Sequence, residues 1–132
     1  MKVQVLFYSM SALFILFLSH QTFPQSYISD KIRFRHLTRE QGLSDSFIRC
    51  VIQDSKGFLW IGTSDGLDRY DGYNLKVFKF SPNDINSLGG NSIRALYEDK
   101  LGTLWVGTLG GGLNKYISGQ EMFTRYFNDP LR

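Results

Sequence analysis

Asp54 to Asp71 reads DSKGFLWIGTSDGLDRYD, and from Asp99 to Tyr116 the chain repeats it as DKLGTLWVGTLGGGLNKY. Ile93, Arg94, Asp99, Gly102, Leu104, Trp105, Gly107 and Thr108 each stand 45 residues after an identical residue. Those partners are Ile48, Arg49, Asp54, Gly57, Leu59, Trp60, Gly62 and Thr63. So many identities in one register mean two tandem copies of one unit. A period of this length belongs to propeller blades and other stacked arrays.

Within the first unit the pattern is β. Phe47 to Gln53 is apolar with a polar break at Arg49. Asp54-Ser55-Lys56-Gly57 has turn chemistry, with an Asp side-chain cap and a positive-φ place for Gly. Phe58 to Thr63 is short, aromatic and apolar, as a buried strand is. Ser64-Asp65-Gly66 is a second turn, because Asp-Gly suits the turns that join hairpin strands. Leu67 to Tyr70 gives a third strand and Leu75 to Phe80 a fourth, with Leu75, Val77 and Phe80 set against Lys76 and Lys79. The glycines at these spacings exclude a helix. The second unit predicts strands over Ser92 to Glu98, Thr103 to Thr108, Gly112 to Tyr116 and Met122 to Phe127. Gly66 and Gly111 are also 45 apart, but Gly110-Gly111-Gly112 carries one extra residue, so Leu113 and Tyr116 follow Leu67 and Tyr70 by 46. The expected fold is therefore all-β: two four-stranded antiparallel blades, residues 45–89 and 90–132, forming part of a propeller.

Met1 to Ser26 differs from the rest. Lys2 is its only charge, Val5 to Leu18 is apolar except for Ser9 and Ser11, and Ser19 to Ser26 is polar. That order describes a signal peptide directing export, with a helical apolar centre shorter than the ~20 residues of a membrane span. An uncleaved anchor is the alternative, because Pro24 sits where the cleavage site wants a small side chain. Residues 27–44 form a lead-in, with a strand expected over Ile32 to Leu37 and a polar connection over Thr38 to Ser44.

The chain has 132 residues and a formal charge of +3, and without the leader 14 basic residues face 12 acidic ones. That balance argues against nucleic acid as a partner. About 107 residues remain after Gln25, enough for one small core. Cys50 is the single cysteine, and a lone Cys on an apolar strand reads as a small core residue.

Leu59-Trp60-Ile61-Gly62-Thr63 with Gly66-Leu67, and Leu104-Trp105-Val106-Gly107-Thr108 with Gly112-Leu113, resemble the repeats of the two-component regulator propeller family. Phe34-Arg35-His36-Leu37-Thr38 through Gly42-Leu43-Ser44 is similar to the start of that domain. The resemblance implies the N-terminal part of a periplasmic β-propeller that senses ligands for a hybrid histidine kinase. Family cues are glycans or their breakdown products, so an oligosaccharide is the ligand it implies. The implied partners are further blades and the kinase, with the membrane reached only through the leader. The family carries many repeats and downstream signalling parts, against two repeats here, so the chain resembles an N-terminal fragment. Two blades cannot close a ring, and residues 27–132 alone are expected to be aggregation-prone or partly molten and to bind no ligand usefully.

The motif residues read as structural. Trp60 and Trp105 each bring roughly 150–250 Å² of mainly apolar surface and are expected at equivalent, mostly buried positions between blades. Gly62 and Gly107 leave room for close approach. Thr63 and Thr108 can hydrogen-bond across strands. Asp54 and Asp99 cap turns ahead of Gly57 and Gly102.

Sharper readings compete with these. Asp65, Asp68 and Asp71 fall three apart, which is not calcium-loop spacing, and read as turn caps or solvated acids. Gly107 to Lys115 lacks the Gly-Lys-Ser/Thr of a phosphate loop. His36 has no plausible metal set or nucleophile, and the recurrence of Arg49 and Arg94 favours a blade-level role. Tyr70 and Tyr116 recur too and fit packing better than sugar stacking. No cofactor, metal ligand set or catalytic group is assigned, and the ligand-binding residues are left unassigned. A fragment of a secreted propeller enzyme acting on polysaccharides would need paired acids or a His-centred site. A propeller interaction scaffold is the remaining alternative.

Overall fold

The structure is a computed structural model and describes residues 36–127. The leader, most of the lead-in strand expected over Ile32 to Leu37, and Asn128 to Arg132 lie outside the described residues. Strands β1 (Ile48–Gln53), β2 (Leu59–Thr63), β3 (Leu67–Tyr70) and β4 (Leu75–Phe78) form one antiparallel sheet in that order. Strands β5 (Ile93–Glu98), β6 (Leu104–Thr108), β7 (Gly112–Ile117) and β8 (Met122–Tyr126) form the second in the same way. Sequential order follows from short connections, since a two- to five-residue link joins only neighbouring antiparallel strands.

The two sheets share their irregularities. The β1–β2 register slips between Ile48 and Cys50, and the β5–β6 register slips between Ile93 and Ala95. Arg49 and Arg94 therefore sit in the same bulge, which re-aims a side chain and adds twist. Gly57 (φ +89°) and Gly102 (φ +75°) close the first turn of each sheet in a conformation that suits glycine. Asp54 Oδ1 accepts from the Lys56 and Phe58 N–H groups, and Asp99 Oδ1 from those of Leu101 and Thr103.

One face of the first sheet lies against the second sheet. Paired positions put Cys50, Ile52, Trp60, Gly62, Leu67 and Phe78 on that face. Trp60, Leu67 and Phe78 meet Leu88, Ile93, Leu104, Val106, Tyr116 and Phe123 in a single core. Complete burial of each such side chain contributes about 1.5–3 kcal/mol. β4 corrects the sequence reading. Phe78 is the buried residue and Val77 is exposed, so the apolar face of this strand is not the Leu75–Val77–Phe80 face. Leu43 and Leu88, 45 apart, are both buried just ahead of their sheets.

Candidate functional site

The seam between the sheets opens at one end into a cleft of about 320 Å³, whose lining includes Lys56, Phe58, Trp60, Arg69, Glu98 and Tyr116. β2 brings Trp60 there because its indole N–H donates to Asp54 Oδ2 at 2.8 Å. The same carboxylate caps the preceding turn, so one residue fixes both the turn and the ring. Tyr116, from β7, stands edge-on to Trp60 with centroids 4.9 Å apart. Arg69, paired with Trp60 across β2 and β3, lies over the rings of Phe58 (4.7 Å) and Trp60 (5.7 Å). Its Nη1 donates to Tyr116 Oη and its Nη2 to Glu121 Oε1, both at 2.8 Å. A guanidinium over aromatic faces keeps its N–H donors available for such bonds.

The charges here are paired between sheets. Glu121 also accepts from Lys76, and these two cations hold its carboxyl below the usual range. Glu98 accepts from the Ser55 N–H and Oγ–H, at 2.8 and 2.7 Å. Burial pushes the Tyr116 phenol up, so it stays protonated at neutral pH. The rings of Trp60 and Tyr116 are buried and Arg69 covers Phe58, so the cleft presents the polar groups of Arg69 and Glu98 and no open aromatic face. It places no two free carboxylates across a reacting bond. Among the described residues no group of three or more His, Cys, Asp or Glu side chains could hold a metal ion.

The motif residues divide. Gly62 is a close approach, since a Cβ there would fall 2.6 Å from both Cys50 Sγ and Ile93 Cγ2. Gly107 is not, its nearest neighbour being Ala95 Cβ at 3.5 Å. Thr63 Oγ1 donates to the Gly66 carbonyl and Thr108 Oγ1 to that of Gly112, so both close their hairpins. Gly112, not Gly111, is the counterpart of Gly66 in register, and a Cβ on Gly111 would strike the Gly89 backbone. Trp105 repeats the indole bond, to Asp99 Oδ2 at 2.9 Å, but is only half-buried. The two tryptophans hold equivalent register positions, but only Trp60 is covered by a second sheet among the described residues. His36 lies away from the seam, in a pocket of about 250 Å³ with Leu37, Gln41, Tyr70, Tyr73 and Leu75.

Asp68 corrects the sequence reading most sharply. It is fully buried on β3, not solvated. Its carboxylate accepts from the Ser44 N–H at 3.1 Å and the Ser44 Oγ–H at 2.8 Å. Burial pushes its pKa up, against the pull of those bonds and of the Lys79 charge. In the second sheet Asn114 takes the same place and accepts from the Gly89 N–H at 2.8 Å. Asp65 pairs with Lys79, and Asp71 caps its turn through the Tyr73 and Asn74 N–H groups.

The profile of the two component regulator propeller matches residues 42–65 and 87–110, one segment leading into each sheet and ending after its second strand. Each sheet therefore carries one two component regulator propeller repeat. Over 55 residues this propeller chain is 42% identical to Histidine kinase P4 of Formosa agariphila, an alignment covering 42% of the chain and 4% of that kinase. It is also similar to the extracellular domain of BT3049 from B. thetaiotaomicron, described as a hybrid two-component system. There the TM-score is 0.66 and the identity 30%, over 74% of this chain and 14% of that one. The extracellular domain of BT4673 from the same organism, described as a one-component system, gives a TM-score of 0.56 at 30% identity, over 71% of this chain and 14% of that one. The chain thus spans a small part of the length of each.

Proposed function

We propose that the chain contributes two blades to the extracytoplasmic, ligand-sensing propeller of a two-component sensor, and that it performs no chemistry itself. The observation that carries this reading is the family match on both sheets, joined to 30% identity with an extracellular domain of a hybrid two-component system. The leader pattern over Met1 to Ser26 agrees with export. On this reading the partners are further blades of the ring and a histidine kinase, and the cue is an oligosaccharide or a glycan breakdown product. The acids at the seam support a binding role over catalysis. Asp54, Glu98 and Glu121 are each engaged by structural hydrogen bonds.

Two measurements test it together. Expressed with its leader, the chain should be recovered outside the cytoplasm with an N-terminus near Tyr27; an intact Met1 in the membrane fraction would make the leader an anchor. The recovered protein should show no hydrolase or lyase turnover on a panel of glycans. Turnover that disappears on mutating a single acid would replace the sensor with an enzyme.

A further inference from the structure

We propose that Arg69, Lys76 and the Tyr116 phenol form a carboxylate-binding site that the chain's own Glu121 occupies, and that the acid group of a uronic-acid sugar displaces it. This rests on the ligand-sensing reading above, and it names the site, the class of sugar and the residue that closes the site. Glu121 is where sequence and backbone disagree. It stands at φ +54°, the one non-glycine residue with positive φ among the described residues. Glycine adopts such a conformation without steric cost, and a side chain does not. The turn between β3 and β4 uses Gly72 for it, at φ +99°. The turn between β7 and β8 has a glycine too, Gly119, but sets a glutamate at the strained place two residues later. A residue held against its backbone preference points to a role for its side chain.

That side chain lies in a complete site for a carboxylate. Its Oε1 accepts from Arg69 Nη2 at 2.8 Å and its Oε2 from the Lys76 ammonium. Arg69 Nη1 donates to Tyr116 Oη at 2.8 Å. The guanidinium is set in place beforehand by the rings of Phe58 at 4.7 Å, Trp60 at 5.7 Å and Phe78 at 5.9 Å. An arginine fork fixed in this way suits the planar pair of oxygens of a carboxylate. Arg69 and Tyr116 also line the cleft of about 320 Å³, so an acid entering the cleft reaches the same cation. That volume is near the lower end of the range for small-molecule sites, about 300–1,000 Å³, and suits one sugar ring. Lys56, Glu98 and Ser118 line the cleft as well and offer polar partners to ring hydroxyls. With no open aromatic face to stack on, the carboxylate carries the recognition. The exchange is close to balanced. The Glu121 side chain is 38% exposed, and ion pairs open to water stabilise only weakly. The left-handed backbone costs a comparable amount, and displacement lets it relax. Arg69 and Lys76 stand on the first sheet and Glu121 on the second, so displacement also unties the β7–β8 turn from β3 and β4. Occupancy of the site is thereby converted into a change in how the two sheets are held.

The test titrates the full chain with digalacturonate, with its methyl ester and with acetate, by calorimetry. The variants are Glu121→Gly, which suits the backbone and empties the site, and Arg69→Gln added to it. Glu121→Gly should bind digalacturonate about tenfold or more tightly than the parent, because an occluded site binds at an affinity reduced by its open fraction. The ester should bind neither chain, and Arg69→Gln should abolish the gain in a chain that still melts cooperatively. In the parent, amide hydrogen exchange over residues 118–121 should rise several-fold at saturating digalacturonate. Equal affinities in parent and Glu121→Gly, equal binding of the ester, or no binding by either chain would overturn the proposal. The same gain toward acetate would overturn the assignment to a sugar. Should Glu121→Gly not fold, Glu121→Asn replaces it, since Asn also visits this backbone conformation. A lower melting temperature without any gain in affinity would make Glu121 a structural tie only and overturn the site. Glycan turnover alongside a displaced Glu121 would retire the sensing role and keep this site; an exported chain with neither turnover nor carboxylate binding would do the reverse.

Discussion

Trp60 and Trp105 are held by the same device, an indole N–H on the carboxylate that caps the preceding turn, at 2.8 and 2.9 Å. Both also carry an aromatic ring from the fourth strand of their sheet, Phe78 at 5.8 Å and Tyr126 at 5.9 Å. Their surroundings differ. Trp60 is 1% exposed under Tyr116 and Arg69, while Trp105 keeps a free side. The difference separates two contributions that a repeat protein normally mixes. What a blade does within itself is present twice. What a neighbour adds is present once, and repeat arrays draw much of their stability from that second contribution.

The largest expected consequence is in the tryptophans themselves. Trp60→Ala removes a ring packed between sheets and leaves Arg69 and Tyr116 facing a cavity; it should cost about 3–5 kcal/mol. Trp105→Ala removes the same atoms from a half-open face and should cost about 1–2 kcal/mol. Denaturant unfolding of both variants gives the comparison. Equal losses would mean that the intrasheet bonds, and not the neighbour, carry the stability.

The glycines sharpen the point at smaller scale. Gly62→Ala forces a methyl into the 2.6 Å gap to Ile93, and the overpacking should cost about 1–3 kcal/mol. Gly107→Ala meets ordinary contact at 3.5 Å and narrows the unfolded chain's freedom. It should be neutral or stabilising by up to about 1 kcal/mol. Thermal melts of the two variants, run side by side, check the sign as well as the size.

These contrasts also show what was legible before the structure. Strand positions and order were legible because turn chemistry and the 45-residue register repeat across two copies, and a feature written twice is easily read. The different fates of Trp60 and Trp105 were not, because Leu59 to Thr63 and Leu104 to Thr108 differ only at Ile61 and Val106, while the second sheet packs against Trp60 alone. Phe78 was misplaced because Lys76 and Lys79 look like a solvent face. In fact the Lys76 ammonium lies 5.5 Å over the Phe78 ring on the side of the second sheet. The Arg69–Tyr116–Glu121 group left no periodic trace beyond the recurrence of Tyr70 and Tyr116. Lys115 replaces Arg69, and the hairpin that carries Glu121 runs one residue pair, Ile117 and Met122, beyond the pair that matches Tyr70 and Leu75. Asp68 was hidden among Asp65 and Asp71, and its one signal was that the matching position of the second unit is Asn114.

That last pair gives the smallest and most specific comparison. Asp68 and Asn114 both tie the incoming chain to the third strand, one with a charge and one without. In Asp68→Asn the amide oxygen can still accept from the Ser44 N–H. Its Nδ2–H can donate to Ser44 Oγ, whose own proton then passes to Thr63 Oγ1, which already donates to the Gly66 carbonyl at 2.9 Å. Every partner is satisfied, so the substitution should change stability by less than about 1 kcal/mol, whereas Asp68→Ala strands Ser44 and should cost about 1–3 kcal/mol. The pH dependence carries the sign. Burial raises the Asp68 pKa in the folded state, so the native protein binds this proton more tightly than the unfolded chain. That stability is fully present below the ordinary Asp value of ~3.9 and is lost as pH rises through the folded value. Asp71, Asp99 and Glu121 act oppositely. Hydrogen bonds lower their pKa values, and their contribution is present above the ordinary carboxylate range and lost as pH falls. Melting temperatures of Asp68→Asn and the parent, taken across the acid range to neutrality, should therefore diverge in favour of the variant as pH rises. A difference that stays constant with pH would show that Ser44 and Lys79 compensate the buried charge completely, and that the two sheets are electrostatically alike at this position.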